Sequence, residues 1–322
     1  MTRPPCAVSI DLDGIGCYYR IHGLGAHPPE LEHVILERAL PRAAKLFAER
    51  DIHVTWFVVG RDADADAVLP DRARRAASAA RLELLHRHGD ELGNHSYSHP
   101  YELARLAPDV VEAEISGCDR VLRAITRQAV RGFRAPGYDV SPAMLDALGK
   151  RGYHYDSSVF PAPGYYAAKA AVMAGLALLR RPSGAVLTNP RLLGAPSMPY
   201  RPSMSAPWRR GQAPMVELPI AVTPWMRIPA IGTSLIVAPE RLRRHVIAAM
   251  GGRSFFNFEL HGIDFADAEK DGIPGELVAH QHDLRLPIGE KLRRLGEILD
   301  DLRERWEMKT LGDVAATIQL EE

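Results

Sequence analysis

The feature that most constrains the fold is a repeated alternation of short apolar runs with longer segments of helical spacing. Residues 7–12 (Ala-Val-Ser-Ile-Asp-Leu) form an apolar run that ends in Asp-x-Asp-Gly. Such a run reads as a buried strand with carboxylates at its C-terminal end. In 31–49 the apolar residues Leu31, Val34, Ile35, Leu46 and Phe47 fall at helical spacing, and 54–59 is a second buried strand before Gly60. Further helices are predicted over 72–88 and 108–125, and a short strand over 132–136 that carries Arg134. The 141–151 segment has a Ser141 N-cap, Pro142 at the next position and a Gly152 stop, which specifies a helix before a strand at 153–160. Repeated β-α units imply a parallel sheet or barrel.

The rhythm breaks at 161–214, which is rich in proline and too long for an ordinary connection. It reads as an insertion over the active site. Regular structure resumes with 216–222, a helix at 239–250, a strand at 255–260 leading into His261, and an amphipathic helix at 288–305. The chain reads as one domain, 1–322, interrupted by an insertion at about 161–214.

Composition excludes several classes. Of 322 residues 46% are hydrophobic, enough for a substantial core. Forty basic residues balance forty acidic ones, so no general field draws the chain to nucleic acid, and neither a basic stripe nor an aromatic platform suggests such a partner. Cys6, Cys17 and Cys118 are odd in number and lack Cys-x-x-Cys spacing, which argues against a disulfide framework or a thiolate metal site. The first apolar segment is already interrupted by Asp11, so no signal peptide is read, and the stretch 165–179 carries Lys169 and is too short to span a bilayer. A cytoplasmic protein is the expectation.

Four groups stand at predicted strand ends, where parallel α/β folds place reactive side chains. Asp11 and Asp13, two apart in an extended chain, face the same way. His95 and His99 are four apart, and if their segment forms a helical turn both rings stand on one face, as two ligands of a metal ion whose third ligand comes from elsewhere. Arg134 and His261 complete the set. Singly each has an ordinary reading as a turn, a surface ion pair or a loop histidine. Their common placement at strand ends points to a site.

These residues resemble the polysaccharide deacetylases with a NodB homology domain, carbohydrate esterase family 4, over most of the chain except the insertion. The matching motifs are Asp11-Leu12-Asp13, His95-Ser96-Tyr97-Ser98-His99, Arg134-Ala135-Pro136 with Tyr138 nearby, and Leu260-His261. The resemblance implies a distorted (β/α)7-type barrel and a metal-dependent hydrolase that removes an acetyl or formyl group from the nitrogen of an amino sugar or glycolipid-like substrate. It assigns Asp13, His95 and His99 to one divalent ion, with Zn²⁺ first and Co²⁺, Ni²⁺ or Mn²⁺ compatible. Asp11 is the expected base, Arg134 its orienting partner and His261 the acid, with a backbone N–H near Gly137 or Tyr138 at the oxyanion.

Two departures qualify this. Leu12 separates aspartates that are usually adjacent, as in the deformylase and allantoinase-like branch, which leaves open which aspartate is base and which is ligand. The aromatic-acidic fourth motif is replaced by Asp156-Ser157-Ser158 without tryptophan. Asp156 and Asp264 are the candidates to orient His261. Opening of a cyclic amide or imide, and a non-catalytic carbohydrate-binding role, are the alternatives. For 165–181, with Arg180 and Arg181 at its end, two readings stand: a lid over a lipid-tailed substrate in peripheral contact with a membrane, or an amphipathic helix packed on the domain or in a dimer interface.

Overall fold

The computed structural model describes residues 3–178, 180, 184–318 and 320. Eight strands occur in it: β1 (Pro5–Asp11), β2 (Thr55–Val58), β3 (Glu91–Asn94), β4 (Gly132–Phe133), β5 (Tyr155–Asp156), β6 (Val216–Glu217), β7 (Phe256–His261) and β8 (Glu307–Lys309). All pair in parallel, in the order β6-β5-β4-β3-β2-β1-β7. β8 joins β1 through Pro5, Cys6 and Ala7, while β2 pairs with Ser9, Ile10 and Asp11. The sheet curls until its ends meet: Ala221 N–H donates to the Asn257 carbonyl at 3.1 Å, and Asn257 Nδ2 donates to the Leu218 carbonyl at 3.2 Å. The expected distorted βα barrel with seven strands along its path is the fold observed.

Strand alternation sorts the core. In β7, Phe256, Phe258 and Leu260 join the main hydrophobic cluster with Cys6, Val8 and Ile10 of β1. The intervening Asn257, Glu259 and His261 face the barrel interior, where Ser9 Oγ bonds Asn257 Oδ1 at 2.9 Å. A barrel lumen lined by polar residues at this end is what holds the site open for chemistry.

Several predicted elements are reshaped. The 31–49 helix is a π-helical turn at Ile35–Ala39 followed by an α-helix at Leu40–Ala48. Pro41 explains this: it has no N–H for the carbonyl of Glu37 and its ring crowds that carbonyl, so the ladder widens there. The strand expected at 153–160 is ordered as β5 over Tyr155–Asp156 alone, because Ser157 and Ser158 turn their hydroxyls to the Leu218 carbonyl and to Asp156. Ser141 caps its helix as expected, accepting from Met144 N–H at 3.3 Å.

The insertion divides into two parts with different tasks. Its helix, Pro163–Leu178, lies over the C-terminal ends of the strands. Tyr166 anchors it in a buried cluster with Tyr138, Phe160, Ala162 and Ile220. The later part covers a sheet edge instead of the site: Tyr200 exchanges backbone hydrogen bonds with Glu217 of β6 at 3.1 and 2.8 Å. Of the stretch read as a membrane contact, Leu179 and Arg181 lie outside the described residues. Among the described residues no helix is long and apolar enough to cross a membrane.

Candidate active site

The site is built at the C-terminal ends of β1, β3, β4 and β7. β1 ends at Asp11, and Asp13 follows two residues on. Arg134, directly after β4, is fully buried and donates to Asp11 Oδ1 at 2.7 Å. Its remaining donors reach the Ser157 carbonyl, Ser9 Oγ and Ser157 Oγ, each at 2.9 Å, and its guanidinium lies 4.2 Å from the centre of the Phe57 ring. Burial alone would lower the pKa of Arg134, yet Asp11 and then Glu259 hold it above its ordinary value. Every nitrogen of this buried cation therefore has a partner, which fixes the orientation of Asp11 and leaves Asp11 Oδ2 for the cleft.

The two imidazoles converge by a route other than the helical turn expected for them. His95–His99 is a loop after β3, with Ser96 and His99 in the left-handed region at φ 62° and 58°. Local side chains impose it: Asn94 Oδ1 accepts from Ser96 N–H at 2.8 Å, and Ser96 Oγ accepts from His99 N–H at 3.1 Å. Glu114, on the Pro108–Thr126 helix, accepts from Tyr97 N–H at 3.0 Å and Ser98 N–H at 2.8 Å. Both rings nonetheless stand side by side, 4.8 Å between centroids.

Asp13 Oδ1 lies 3.1 Å from Nε2 of His95 and 3.1 Å from Nε2 of His99. His95 Nδ1 lies 2.7 Å from the Arg134 carbonyl, an acceptor only, so Nδ1 donates there and Nε2 is turned toward Asp13. His99 Nε2 is buried and makes no hydrogen bond. Two ring nitrogens and a carboxylate oxygen thus face one point, a donor set that could hold a metal ion. Burial opposes charge on both partners, but His99 holds Asp13 well below the ordinary carboxylate range, and Asp13 holds His99 well above the ordinary imidazole range. Cys17 Sγ, 3.4 Å from His99 Nδ1, supports the second ring.

His261 closes the site from β7, opposite Asp11 in the register. Of its two expected orienting residues, Asp156 lies elsewhere and Asp264 reaches its backbone. Asp156 is buried against Ser158 Oγ and interacts with Glu217, with its carboxyl pushed up to about 6 chiefly by burial. Asp264 holds the backbone of His261, accepting its N–H at 2.9 Å, and accepts from Thr233 Oγ1 at 2.8 Å. The ring is held by Glu259, whose Oε1 lies 3.1 Å from His261 Nδ1. Tyr138 acts through its side chain. Its hydroxyl donates to Glu259 Oε1 at 2.7 Å and lies 2.8 Å from His261 Nε2, whereas its backbone N–H is spent on the Ala135 carbonyl at 3.3 Å. Burial raises Glu259 to about 7, while His261 rises to about 9 against its own burial because Glu259, then Asp11, favour the charged ring. The sequence did carry a signal for Glu259. The period of two in Phe-Asn-Phe-Glu-Leu-His places it on the same face as His261.

These groups form the floor of a cleft of about 370 Å³. Tyr18, Tyr101 and Ile231 contribute to its lining, and the insertion helix contributes Tyr165, Val172, Met173 and Leu176. Gly137, at φ 73°, passes so close to Tyr101 that a side chain there would crowd its ring and carbonyl at 3.0 and 3.1 Å. The structure thus brings Asp11, Asp13, His95, His99, Arg134, Gly137, Tyr138 and His261 together and leaves Asp156 out.

Residues 33–155 match the polysaccharide deacetylase family model. A peptidoglycan deacetylase from Helicobacter pylori is 23% identical over 155 residues, a match spanning 48% of this chain and 48% of that protein. Among solved structures, a Parabacteroides distasonis protein proposed to be a glycoside hydrolase or deacetylase superposes with TM-score 0.63 and 11% identity, covering 98% of this chain and 71% of that one. PuuE allantoinase gives 0.57 and 12%, with 97% and 89% covered. A Mycobacterium smegmatis protein proposed to be a polysaccharide deacetylase gives 0.55 and 15%, with 99% and 95% covered. At such identities these structures share the fold.

Proposed function

We propose that the protein is a metal-dependent hydrolase that cleaves a non-peptide amide, releasing a short acyl group as its carboxylic acid from the nitrogen of an amino compound. The observation that carries this is the pair of 3.1 Å approaches of Asp13 Oδ1 to two imidazole nitrogens, one of which has its tautomer set by the Arg134 carbonyl. The donor set fits a divalent cation: His99 Nε2 is a buried orphan, and the facing lone pairs repel one another without a cation or proton between them. Asp13, His95 and His99 would hold it, Zn²⁺ first, with Co²⁺, Ni²⁺ or Mn²⁺ compatible with the same ligands. When bound, the cation supplies Lewis acidity toward the amide carbonyl and toward water.

The chain's own residues do the proton work. Asp11 takes a proton from the attacking water at Oδ2, because Oδ1 is occupied by Arg134. Arg134 keeps that carboxylate fixed. The water oxygen bonds to the acyl carbon, and the carbon–nitrogen bond breaks as His261 Nε2 gives its proton to the departing amine. Glu259 at Nδ1 keeps the ring protonated for this step, and the Tyr138 hydroxyl holds both in register. Gly137 lets the backbone beside Tyr138 approach the cleft floor.

The match to a peptidoglycan deacetylase and to the family model supports N-deacetylation of an amino sugar. A specific feature favours a second reading, a smaller amide such as a cyclic one: the helix Pro163–Leu178 lines the cleft above the floor, where an extended glycan chain needs an open groove. A panel of N-acetyl, N-formyl and cyclic amides, assayed with Zn²⁺-loaded enzyme and with His261→Ala, tests the proposal. Hydrolysis of one class, lost in His261→Ala while its metal is retained, supports it. No turnover of any class, or full activity in that variant, refutes it.

A further inference from the structure

The insertion helix gives the cleft a chemical character that the metal site and its proton carriers do not require. Tyr165, Ala168, Lys169, Val172, Met173 and Leu176 follow the helical spacing i, i+3, i+4, i+7, i+8 and i+11, and all line the cleft. The stripe is apolar except for one charge. Lys169 is the only lysine or arginine lining it among the described residues.

Its position runs against the usual economy of lysine. The opposite side of the helix exposes Ala167, Ala171, Ala174 and Ala177, where a cation would be solvated at no cost. Other lysines do this: Lys45 and Lys150 are 78% and 71% exposed and pair with a carboxylate one turn away. Lys169 is instead half-buried in the apolar lining of the cleft, and burial lowers its pKa to about 8. No carboxylate among the described residues forms a salt bridge with it. Asp139 acts on it only through space and is itself engaged by Arg105, Thr188 and Asn189. A desolvated cation without a counterion, set in an apolar wall, is matched by a ligand that brings the anion with it.

We propose that the cleft binds an amphiphile with an apolar body and one anionic group, a carboxylate or a phosphate, received by Lys169. This rests on the hydrolase reading only in making that amphiphile the amine-bearing or acyl-bearing part of the substrate. The volume of about 370 Å³ lies at the low end of pockets that enclose a small organic molecule. The polar floor then meets the scissile amide, and the apolar stripe meets the body.

Calorimetric titration of the full chain with dodecanoate, dodecyl phosphate, dodecanol and N-acetylglucosamine tests this, first with the metal stripped by chelator and then with Zn²⁺ loaded. The anionic amphiphiles are expected to bind in both states, and Lys169→Met to weaken them about tenfold or more, as for loss of a charge-assisted bond, with dodecanol unchanged. Lys169→Arg retains binding. Met173→Asp weakens all three amphiphiles, and the tighter of the two anions identifies the source. Binding of N-acetylglucosamine in preference to the amphiphiles, or equal binding of the anions by Lys169→Met, overturns the proposal. Failure of the two readings is distinguishable: amphiphile binding without hydrolysis of any amide removes the catalytic reading alone, and hydrolysis without Lys169-dependent binding removes this one alone.

Discussion

Arg134→Met is the perturbation with the most calculable consequence. Methionine fills much of the arginine's volume and can rest against Phe57, so the change removes charge and hydrogen bonds more than packing. Arg134 makes one charged bond of 2.7 Å to Asp11 and three bonds of 2.9 Å to Ser157 and Ser9. Asp11 itself is buried, and without Arg134 it is left as an unpaired charge. Breaking a buried pair from one side costs about 3–5 kcal/mol, mostly the desolvation of the partner left behind. Urea denaturation followed by circular dichroism reads this as a lower midpoint at unchanged slope. Asp11→Asn in the same background neutralises the stranded carboxylate, so the double variant is expected to lose about 1–3 kcal/mol less than the sum of the single changes. A loss below about 1 kcal/mol for Arg134→Met, or strict additivity in the double variant, would refute the view that this pair is the buried electrostatic anchor of the site.

Two further outcomes follow from the same contacts. His261 is raised to about 9, so a proton held for the leaving amine is present below that pH, and turnover is expected to fall as pH rises through it. Glu259→Gln removes the charge that raises His261, so the alkaline limb of the kcat profile should move to lower pH; an unmoved limb would show that Glu259 does not set this proton. Ser141→Ala loses the N-cap bond to Met144 and should cost about 1 kcal/mol in the same denaturation measurement without changing kcat, since the Ser141 hydroxyl serves the helix cap and bonds none of the proton carriers.

What was legible in the sequence and what was not divides along physical lines. β1 and β7 are apolar runs bounded by polar residues, and the helix ending at Lys150 is framed by Ser141, Pro142 and Gly152, so local signals sufficed. The bounds of β3 are not legible because Glu91-Leu-Gly-Asn carries a single large apolar side chain, and the strand is specified by its neighbours β2 and β4. The His95–His99 spacing suggested a helical turn, yet Asn94, Ser96 and Glu114 capture the backbone donors that a helix would use. The convergence of the two rings was right for a reason other than the spacing. Asp156 was placed by motif position, and in the fold it belongs to the Glu217 pair beneath Arg134. Glu259 was hidden inside an apolar run, visible only when alternate residues of β7 are assigned to opposite faces.

The central claim is that Asp13, His95 and His99 hold one divalent cation, and its most direct test needs no substrate. Metal content of the purified chain, measured by mass spectrometry after dialysis against trace Zn²⁺, is predicted to be one equivalent for the wild type and none for His95→Ala/His99→Ala, with circular dichroism showing that the variant is folded. A stoichiometric ion retained by the folded double variant, or a wild type that takes up none, would contradict it.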